Sequence, residues 1–304
     1  MIHVVGNAAI DTILSVERFP RPGETIVARG AVEDLGGKGA NQAVVIARCG
    51  APVRLVAALG DDVAGARIRR SLNAEGVATD GLVDWPGATD RSLISVDAGG
   101  ENMIVSLIDA ARAFDPAAGP GFLNAIAAGD WVVMQGNLRP ETTRACLALA
   151  KQRNATTALN PSPISPAAAY DWRLVDLAVV NRGEAIELGG NNDPFAAARA
   201  LRAAGAGVVA VTLGPAGAAI VASDGEWRAP APRVAAIDAV GAGDVFCGAL
   251  IAARASGRAW SEALRIAVDA AAIAVTRRGA QSSFPSRAEM ARAFSQPTVE
   301  EHRA

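Results

Sequence analysis

The chain has few cysteines, almost no net charge and only two lysines. Its 304 residues carry 29 basic and 31 acidic side chains, for a formal net charge of −2. A chain without an excess of basic residues has no electrostatic field that would collect nucleic acid or bind a membrane surface, so we expect neither partner. The two lysines are Lys38 and Lys151. Because lysine is so rare in this chain, the position of Lys38 in a glycine-rich stretch marks it as a candidate functional residue.

The three cysteines, Cys49, Cys146 and Cys247, lie far apart and show no C-x-x-C spacing. This predicts neither a disulfide framework nor a thiolate zinc site, and it fits a reducing cytoplasm. The first residues lack a basic segment and reach Asp11 early, so no secretory signal is expected. The stretch 203–223 carries no charge, but its glycines and proline favour strand, turn and strand over a membrane helix.

Short apolar runs alternate along the chain with alanine-rich runs of helical periodicity. Strands that are apolar throughout are typical of a parallel sheet buried on both faces, so the pattern predicts a doubly wound, mostly parallel α/β sheet flanked by helices. The predicted strands are 2–5, 53–57, 131–135, 156–159, 177–180, 208–213 and 218–221. The predicted helices are 40–49, 65–75, 140–153, 194–204, 244–255 and 261–277. We expect a single domain over residues 1–304.

Two stretches, at about 12–37 and 89–112, alternate apolar and polar residues instead. Alternation indicates strands with one face in water, so these stretches are predicted to form a small β-sheet outside the main core. A pair of surface hairpins would give the same pattern. A lid over a site is favoured because the first stretch leads directly into LGGKGANQA.

Residues 238–250, DAVGAGDVFCGAL, place three small residues before an apolar helical pattern. Gly241, Ala242 and Gly243 would let backbone N–H groups approach an anion at a helix N-terminus. Asp244 could then accept the proton of a hydroxyl that attacks a bound phosphoryl group. Helix capping is the alternative role for Asp244. The stretch matches neither the P-loop nor the Rossmann fingerprint.

This stretch resembles the C-terminal signature of the PfkB sugar-kinase family. GGKGANQAVVIARCGAPV is similar to the N-terminal motif of its ribokinase-like members. Further similar stretches are, in chain order, RFPRPGETI, LGDDVAGARIRRSL, LNPSP, VVNRGEAIEL, VTLGPAGA and AAAIAVTRRGAQSSFP. The resemblance covers nearly the whole chain. It implies a cytoplasmic enzyme that phosphorylates a sugar hydroxyl with ATP, on a doubly wound α/β fold with a small β-sheet lid.

The resemblance also implies roles for individual residues. Asp244 would be the general base, and the loop from Gly241 through Ala242 to Gly243 would be the anion hole. Five residues are expected to bind the acceptor sugar. They are Asp11, Gly37, Lys38, Asn41 and Asn137. Asp11 is expected at the end of the first strand, where open α/β sheets bind ligands.

ATP, Mg²⁺ and K⁺ are the implied cofactors. Asn181 and Glu184 match an N-x-x-E element, from which Glu184 would bind magnesium through water. Thr212, Gly214 and Gly217 match a turn along the nucleotide, although an ordinary tight turn would use the same residues. The implied monovalent-cation site consists of Asp238, Ala274, Gly279 and Ser283.

Two departures from the family concern the acceptor. Asn137 stands where ribokinases have a glutamate, and SLIDAARAF brings Asp109 and Arg112 towards the expected far end of the substrate. Ribose remains the best single guess for the acceptor.

Two alternatives stay open, and one further partner is expected. An adenosine-type nucleoside could stack on Met103, Leu107 and Phe114. A non-catalytic sensor on the same fold is a remote alternative, because the chain retains Asp244 and the glycines before it. A homodimer formed through the lid is also expected.

Overall fold

The computed structural model describes residues 1–165 and 169–295 and contains two β-sheets. The strands are β1 (Ile2–Val5), β2 (Ala9–Ser15), β3 (Gly30–Gly36), β4 (Val53–Gly60), β5 (Ala78–Trp85), β6 (Arg91–Val96), β7 (Asn102–Leu107), β8 (Trp131–Gln135), β9 (Thr156–Asn160), β10 (Leu177–Asn181), β11 (Val208–Thr212), β12 (Ala218–Val221) and β13 (Glu226–Ala229). The helices are α1 (Lys38–Arg48), α2 (Val63–Ala74), α3 (Asp109–Ala113), α4 (Pro120–Ala125), α5 (Pro140–Gln152), α6 (Arg182–Gly189), α7 (Pro194–Ala203), α8 (Ala242–Ala255), α9 (Trp260–Ala274) and α10 (Arg287–Ser295).

The larger sheet has nine strands in the order β13, β12, β11, β10, β9, β8, β1, β4, β5. The strands from β11 to β5 pair in parallel, and β12 and β13 complete one edge in antiparallel fashion. The prediction of a mostly parallel α/β sheet is therefore confirmed.

Helices cover both faces of the larger sheet, and each face has its own apolar layer. Helices α1, α2, α8, α9 and α10 pack on the face that carries Val4 and Val133. Helices α3 to α7 pack on the face that carries Val5 and Met134. Neighbouring residues of a strand point to opposite faces, which explains why all four residues of β1 are buried and three of them are apolar.

The predicted strands and helices are present, with ends that differ by no more than three residues. The sequence pattern misses β5 and β13, which form the two edges of the larger sheet. Each edge strand has only one buried residue, Gly81 in β5 and Ala229 in β13, and carries polar residues, so it lacks the apolar run of a central strand. It also misses α3, α4, α6 and α10, which are too short to show a helical period.

The smaller sheet has strand order β3, β2, β6, β7 and takes its strands from the two alternating stretches. Its register pairs Asp11 with Asp34 on one side and with Ser92 on the other, so these three side chains lie on one face. Leu93 lies on the opposite face, where it pairs with Val105. The separate small sheet is confirmed, and its action as a lid stays a prediction.

The predicted place of Asp11 is wrong. β1 ends at Val5, and Asp11 is the third residue of β2, the first strand of the smaller sheet. The chain leaves the larger sheet at Gly6, where a Cβ would clash with the side chain of Gln135. Asp11 is therefore carried by the smaller sheet and not by the end of the larger one.

Asp90 holds the base of the smaller sheet together. Its buried carboxylate accepts hydrogen bonds from the N–H groups of Ala110 and Ala111, at 2.9 and 3.2 Å. Its carbonyl accepts a hydrogen bond from the N–H of Ile10 at 3.1 Å. The segments that enter β2 and β6 and leave β7 are thus fixed at one point.

The order of strands reverses at β1, which has β4 on one side and β8 on the other. In open α/β sheets such a reversal leaves a crevice at the carboxyl ends of the strands, where ligands bind. Gly6 follows β1 there, and Gln135 ends β8. Within the two described segments, no helix has the length and apolar character needed to cross a membrane.

Candidate active site

Asp244 lies in the first turn of α8 and is 4% exposed. Its Oδ2 accepts a hydrogen bond from Asn41 Nδ2 at 3.0 Å, and its Oδ1 accepts one from Gln42 Nε2 at 3.1 Å. The Nζ atom of Lys38 is 3.8 Å from Oδ1. No side chain caps α8, so Asp244 does not have the capping role that its sequence position also allowed.

The donors reach Asp244 because α1 and α8 approach closely at Gly248. A Cβ on Gly248 would lie 2.8 Å from Cβ of Val45 and 3.0 Å from the carbonyl oxygen of Gln42. Since α1 begins at Lys38, the residues that contact Asp244 belong to its first turns. The small residue in α8 thus brings the polar start of α1 onto the carboxylate.

The start of α1 is also fixed against the segment that follows β1. Gly37 has φ 84°, and a Cβ there would lie 2.7 Å from Cα of Ala8. A Cβ on Gly39 would lie 2.7 Å from the carbonyl oxygen of Asn7, which accepts a hydrogen bond from the N–H of Ala40 at 2.9 Å. The glycines of this motif are therefore required by packing before any ligand is considered.

Asp11 is 7% exposed and lies near enough to Asp244 and Lys38 for their charges to act on it. Burial raises the pKa of Asp11 to about 6, and the negative charges of Asp34 and Asp244 add to this effect. The Ser92 hydroxyl and the Lys38 ammonium act in the opposite direction. A carboxylate in this state gains from any ligand hydroxyl that donates to it.

A chain of buried amides continues from Asp244, and sequence reasoning missed it. Gln42 Oε1 accepts a hydrogen bond from Gln135 Nε2 at 2.9 Å, and Gln42 Nε2 also donates to Asn160 Oδ1 at 3.2 Å. Asn160 donates in turn to the carbonyl of Val179 at 2.8 Å. The available signal was the pair of adjacent amides in GANQA, because polar side chains are rarely buried without a partner.

Asn137 follows β8 by two residues, and its Oδ1 is buried without a hydrogen-bond partner among the described residues. A buried unpaired acceptor costs free energy, which a bound ligand with a donor would recover. This fits the predicted contact with an acceptor sugar. Asp109 and Arg112 are exposed on α3.

The small residues before Asp244 open the N-terminus of α8. Gly241 has φ 75°, and a Cβ there would lie 2.5 Å from the ring of Phe284. Around Gly243, apart from its chain neighbours and the nearby backbone of its own helix, no atom of the described residues lies within 4 Å of the place of a Cβ. The N–H groups of Gly243 and Asp244 have no carbonyl four residues earlier in the helix. This end of α8 therefore fits an anion.

Asn181 and Thr212 end the neighbouring strands β10 and β11 side by side. Asn181 Oδ1 accepts a hydrogen bond from the N–H of Glu184 at 2.9 Å, and Glu184 Oε2 accepts one from the N–H of Asn181 at 2.8 Å. This capping box starts α6 and uses one oxygen of the Glu184 carboxylate. Nowhere in the described segments do three or more His, Cys, Asp or Glu residues form a metal cage. Magnesium at Glu184 would therefore need phosphate and water oxygens as well.

Residues 212–217 form a tight turn between β11 and β12. Gly214 has φ 61° and Gly217 has φ 93°, and the N–H of Leu213 donates to the carbonyl of Gly217 at 2.8 Å. These conformations account for both glycines without a ligand. The predicted contact of Thr212, Gly214 and Gly217 with a nucleotide stays a prediction.

Three chain segments bring the predicted cation-site residues together. Asp238 Oδ2 accepts a hydrogen bond from the N–H of Gly279 at 3.1 Å, and the N–H of Asp238 donates at 3.2 Å to the carbonyl of the residue after Ala274. Ser283 Oγ donates to the carbonyl of Ala280 at 2.7 Å. The segments that contain Asp238, Ala274, Gly279 and Ser283 are thus neighbours, and cation binding among them stays a prediction.

The loop after α9 connects the smaller sheet to the site, which sequence reasoning also missed. Asp34 Oδ2 accepts hydrogen bonds from the N–H of Ala280 at 3.0 Å, from the N–H of Ser282 at 3.1 Å and from Ser282 Oγ at 2.8 Å. Gln281 Nε2 donates to Asn41 Oδ1 at 3.0 Å. These partners are 240 to 248 residues apart in the chain, so no local pattern could reveal them.

Comparisons with known proteins place the chain in a family. The family model described as pfkB family carbohydrate kinase matches residues 1–287. Ribokinase of Haemophilus influenzae is 32% identical over 295 residues, which cover 95% of this chain and 96% of that protein. Deoxyribokinase of Salmonella typhimurium is 31% identical over 292 residues, which cover 94% of this chain and 95% of that protein.

A solved structure has the same fold over nearly the whole chain. The structure of Arabidopsis thaliana ribokinase complexed with ribose and ATP superposes with a TM-score of 0.89. It is 26% identical in sequence, and the match covers 97% of this chain and 99% of that chain.

The fold and the site define a kinase of the ribokinase-like α/β class. The chain belongs to the PfkB family of carbohydrate kinases. It is a phosphotransferase that acts on a sugar hydroxyl, so the resemblance noted in the sequence is confirmed. The non-catalytic sensor on the same fold is set aside.

Replacing Asp11 by asparagine should stabilise the protein at pH 7.5 but not at pH 4. In the folded protein Asp11 keeps its proton up to about pH 6, whereas the ordinary pKa is 3.8. The folded state therefore binds more protons between these values, and ionisation of Asp11 lowers the free energy of unfolding as the pH rises. Removing the charge should raise that free energy by about 1–3 kcal/mol at pH 7.5, measured by urea unfolding.

Asp61→Asn is the control, because Asp61 is exposed and its charge is not desolvated. It should change the free energy of unfolding little at either pH. A stabilisation by Asp11→Asn that is as large at pH 4 as at pH 7.5 would show that the buried charge is not its cause.

Proposed function

We propose that this protein transfers the γ-phosphoryl group of ATP to a hydroxyl of a pentose, with ribose as the preferred acceptor. The observation that carries the proposal is the buried Asp244 carboxylate, which two amides hold in the first turn of α8 beside its open N-terminus. The relatives support the acceptor, because they include a ribokinase, a deoxyribokinase and a ribokinase solved with ribose and ATP.

Asp244 acts as the general base. It takes the proton of the acceptor hydroxyl as that oxygen bonds to the γ-phosphorus and the bond from γ-phosphorus to the bridging oxygen breaks. The products are a sugar phosphate and ADP. Only the carboxylate form of Asp244 can take the proton, and the donors Asn41 and Gln42 and the cation Lys38 compensate for the hydration that this buried carboxylate lacks.

The open N-terminus of α8 serves as the anion hole. The unbonded N–H groups of Gly243 and Asp244 and the partial positive charge of the helix face the negative charge that develops on the transferring group. Gly241 and Ala242 shape the turn before them. The space around Gly243 is consistent with this role, because a phosphoryl group needs access to the backbone there.

The acceptor binds between the smaller sheet and the start of α1. Asp11 accepts hydrogen bonds from sugar hydroxyls, which replace the hydration that its buried carboxylate has lost. Gly37 allows the sugar to approach the backbone, Lys38 and Asn41 donate to its oxygens, and Asn137 contacts its far end. The unpaired Oδ1 of Asn137 supports the last contact.

ATP supplies the phosphoryl group, and Mg²⁺ neutralises the charge on its phosphates. Asn181 and Glu184, at the start of α6, hold the metal and phosphates through water. The nucleotide lies along the turn formed by Thr212, Gly214 and Gly217. Asp238, Ala274, Gly279 and Ser283 would hold potassium beside the anion hole.

The structure favours a sugar over a nucleoside as acceptor. Of the three residues that could form an apolar platform for a purine, Phe114 is buried in the core layer of the larger sheet. Met103 and Leu107 lie in β7 on the face opposite Asp11, because they share the face of Val105. The three side chains therefore do not form one surface at the acceptor site.

The same outer face supports a homodimer. Leu93, Met103, Val105 and Leu107 are between 43% and 62% exposed and lie together on the face of the smaller sheet that points away from Asp11. A contiguous exposed apolar surface of this kind is typical of protein interfaces. We propose that two copies pair through it, around a twofold axis.

Asp244→Asn should lower turnover by about a hundredfold or more and leave ATP binding near normal, because the amide cannot accept the hydroxyl proton. The measurement is ADP release from Mg-ATP and ribose, in KCl and in choline chloride at equal ionic strength. The wild type should turn over ribose faster in KCl. Asp61→Asn serves as the control, and a variant at position 244 with most of its activity intact would remove the base assignment.

Asn137→Glu should shift the acceptor preference further towards ribose, because it restores the glutamate found in ribokinases. The readout is kcat/KM for ribose, 2-deoxyribose, fructose and adenosine. Arg112→Ala, on the exposed side of α3, is the comparison and should leave the profile unchanged. An unchanged profile for Asn137→Glu would show that position 137 does not contact the acceptor.

The double variant Leu93→Glu with Val105→Glu should be a monomer, because it places charges in the centre of the proposed interface. Sedimentation velocity compares it with the wild type, which should be a dimer. Val63→Glu is the control, because Val63 is 85% exposed but belongs to α2. A monomeric wild type, or a double variant that stays dimeric, would contradict the proposed interface.

A further inference from the structure

We propose that Gln42 is a positioning residue for the general base: its amide holds Oδ1 of Asp244, and the acceptors Asp244 and Asn160 set the direction of that amide. The inference rests on the role proposed above for Asp244. Gln42 is expected to touch neither the sugar nor the nucleotide, so its effect would pass entirely through the carboxylate.

Both N–H groups and the carbonyl oxygen of the Gln42 side chain have hydrogen-bond partners. The side chain is fully buried. Its Nε2 donates to Asp244 Oδ1 at 3.1 Å and to Asn160 Oδ1 at 3.2 Å, and its Oε1 accepts from Gln135 Nε2 at 2.9 Å. A side-chain amide has two N–H groups, and both are used. A ligand therefore has no free N–H of Gln42 to bind.

Fixed acceptors at both ends determine the orientation of this amide. Asp244 as a carboxylate can only accept, so Gln42 must turn its nitrogen towards it. The carbonyl of Val179 can only accept, so Asn160 turns its nitrogen to Val179 and its oxygen to Gln42. Both requirements place Nε2 of Gln42 on the same side. Its Oε1 then faces Gln135, which has to present its own nitrogen.

Gln42 and Asn41 each hold one oxygen of Asp244, and the two amides are themselves bonded to different parts of the protein. Asn41 Oδ1 accepts from Gln281, so Oδ2 is tied to the loop after α9. Gln42 is bonded to side chains at the ends of β8 and β9, so Oδ1 is tied to the larger sheet. Rotation of the carboxylate about its Cβ–Cγ bond would break both hydrogen bonds. The proton-accepting direction is thus fixed relative to the sheet.

Three other titratable groups lie around the same carboxylate. The Lys38 ammonium is 3.8 Å from Oδ1, and the negative charge of Asp11 acts across the acceptor site. The thiol of Cys247, three residues further along α8, is also close, and burial raises its pKa, so it stays protonated. Lys38 supports the ionised carboxylate but, as a flexible ammonium, does not define its direction. The directional donors are the two amides.

Gln42→Met tests the inference by removing the donor with little change in volume. We expect kcat to fall about 10- to 100-fold, because a small misplacement of a reacting group has effects of this size. The KM values for ribose and for ATP should stay within about threefold of the wild type, because no substrate contact is lost.

Gln135→Met is the matched control. Gln135 is also fully buried, and the substitution has the same size and loss of polarity. The hydrogen bond from Gln42 to Asp244 remains possible in this variant, so kcat should stay within about threefold of the wild type. Melting temperatures of both variants show whether the fold is intact.

Gln42→Glu gives a second readout, which also applies if the methionine variant fails to fold. A carboxylate about 3 Å from Asp244 would share a proton with it, and the pair would hold that proton to higher pH than a single carboxylate. The acid limb of the kcat profile should therefore move up by about one pH unit or more. A residue with only a structural role would lower kcat equally at all pH values.

Wild-type kcat in Gln42→Met, an equal loss in Gln135→Met, or an unshifted profile in Gln42→Glu would each overturn the inference. Asp244→Asn, measured in the same assay, separates this failure from failure of the proposed function. An active Asp244→Asn variant would mean that Asp244 is not the base. An inactive Asp244→Asn variant beside a fully active Gln42→Met variant would overturn the positioning role alone.

Discussion

The buried carboxylate of Asp244 is the constraint on which the rest of the site depends. A carboxylate with 4% exposure has lost most of its hydration, and only donors in direct contact can compensate for this. These donors come from the first turns of α1, so α1 has to lie against α8, and the absence of a side chain at Gly248 permits that approach. The packing of the two helices and the general-base role proposed for Asp244 therefore require the same arrangement.

The glycine-rich start of α1 must also pack closely on the chain where it leaves the larger sheet. Gly37 and Gly39 bring the backbone against the segment that follows β1, which places Lys38, Asn41 and Gln42 in front of Asp244. A glycine-rich motif is commonly interpreted as a phosphate-binding loop. Here the glycines are already explained by contacts within the protein, and the open helix end with space for an anion belongs to Gly243 instead.

Sequence reasoning succeeded where a signal is local or covers the whole chain. The central strands were predictable because burial on both faces leaves them mostly apolar, whereas the partly exposed edge strands β5 and β13 lack such an apolar run. Asp11 was misplaced because only residues 6–8 separate β1 from β2, so the sequence shows no clear boundary between the two strands. The capping box of Asn181 and Glu184 has a local signature, an Asn followed three residues later by a Glu, and the sequence alone could have shown it. The adjacent amides in GANQA could have marked Gln42 as a buried polar residue, but its partners, like those of Asp34 and Gln281, lie far away in the chain and leave no local signature.

The distance along the chain between these partners has a consequence for how the enzyme is made. Hydrogen bonds join residues 41 and 42 to Asp244, residue 34 to residues 280 and 282, and residue 41 to residue 281, across separations of 202 to 248 residues. Contacts of such high sequence separation form late in folding, because the entropy of closing the intervening chain is lost first. During synthesis the first two hundred residues can build most of the larger sheet, but the site itself closes only after the loop beyond α9 has left the ribosome.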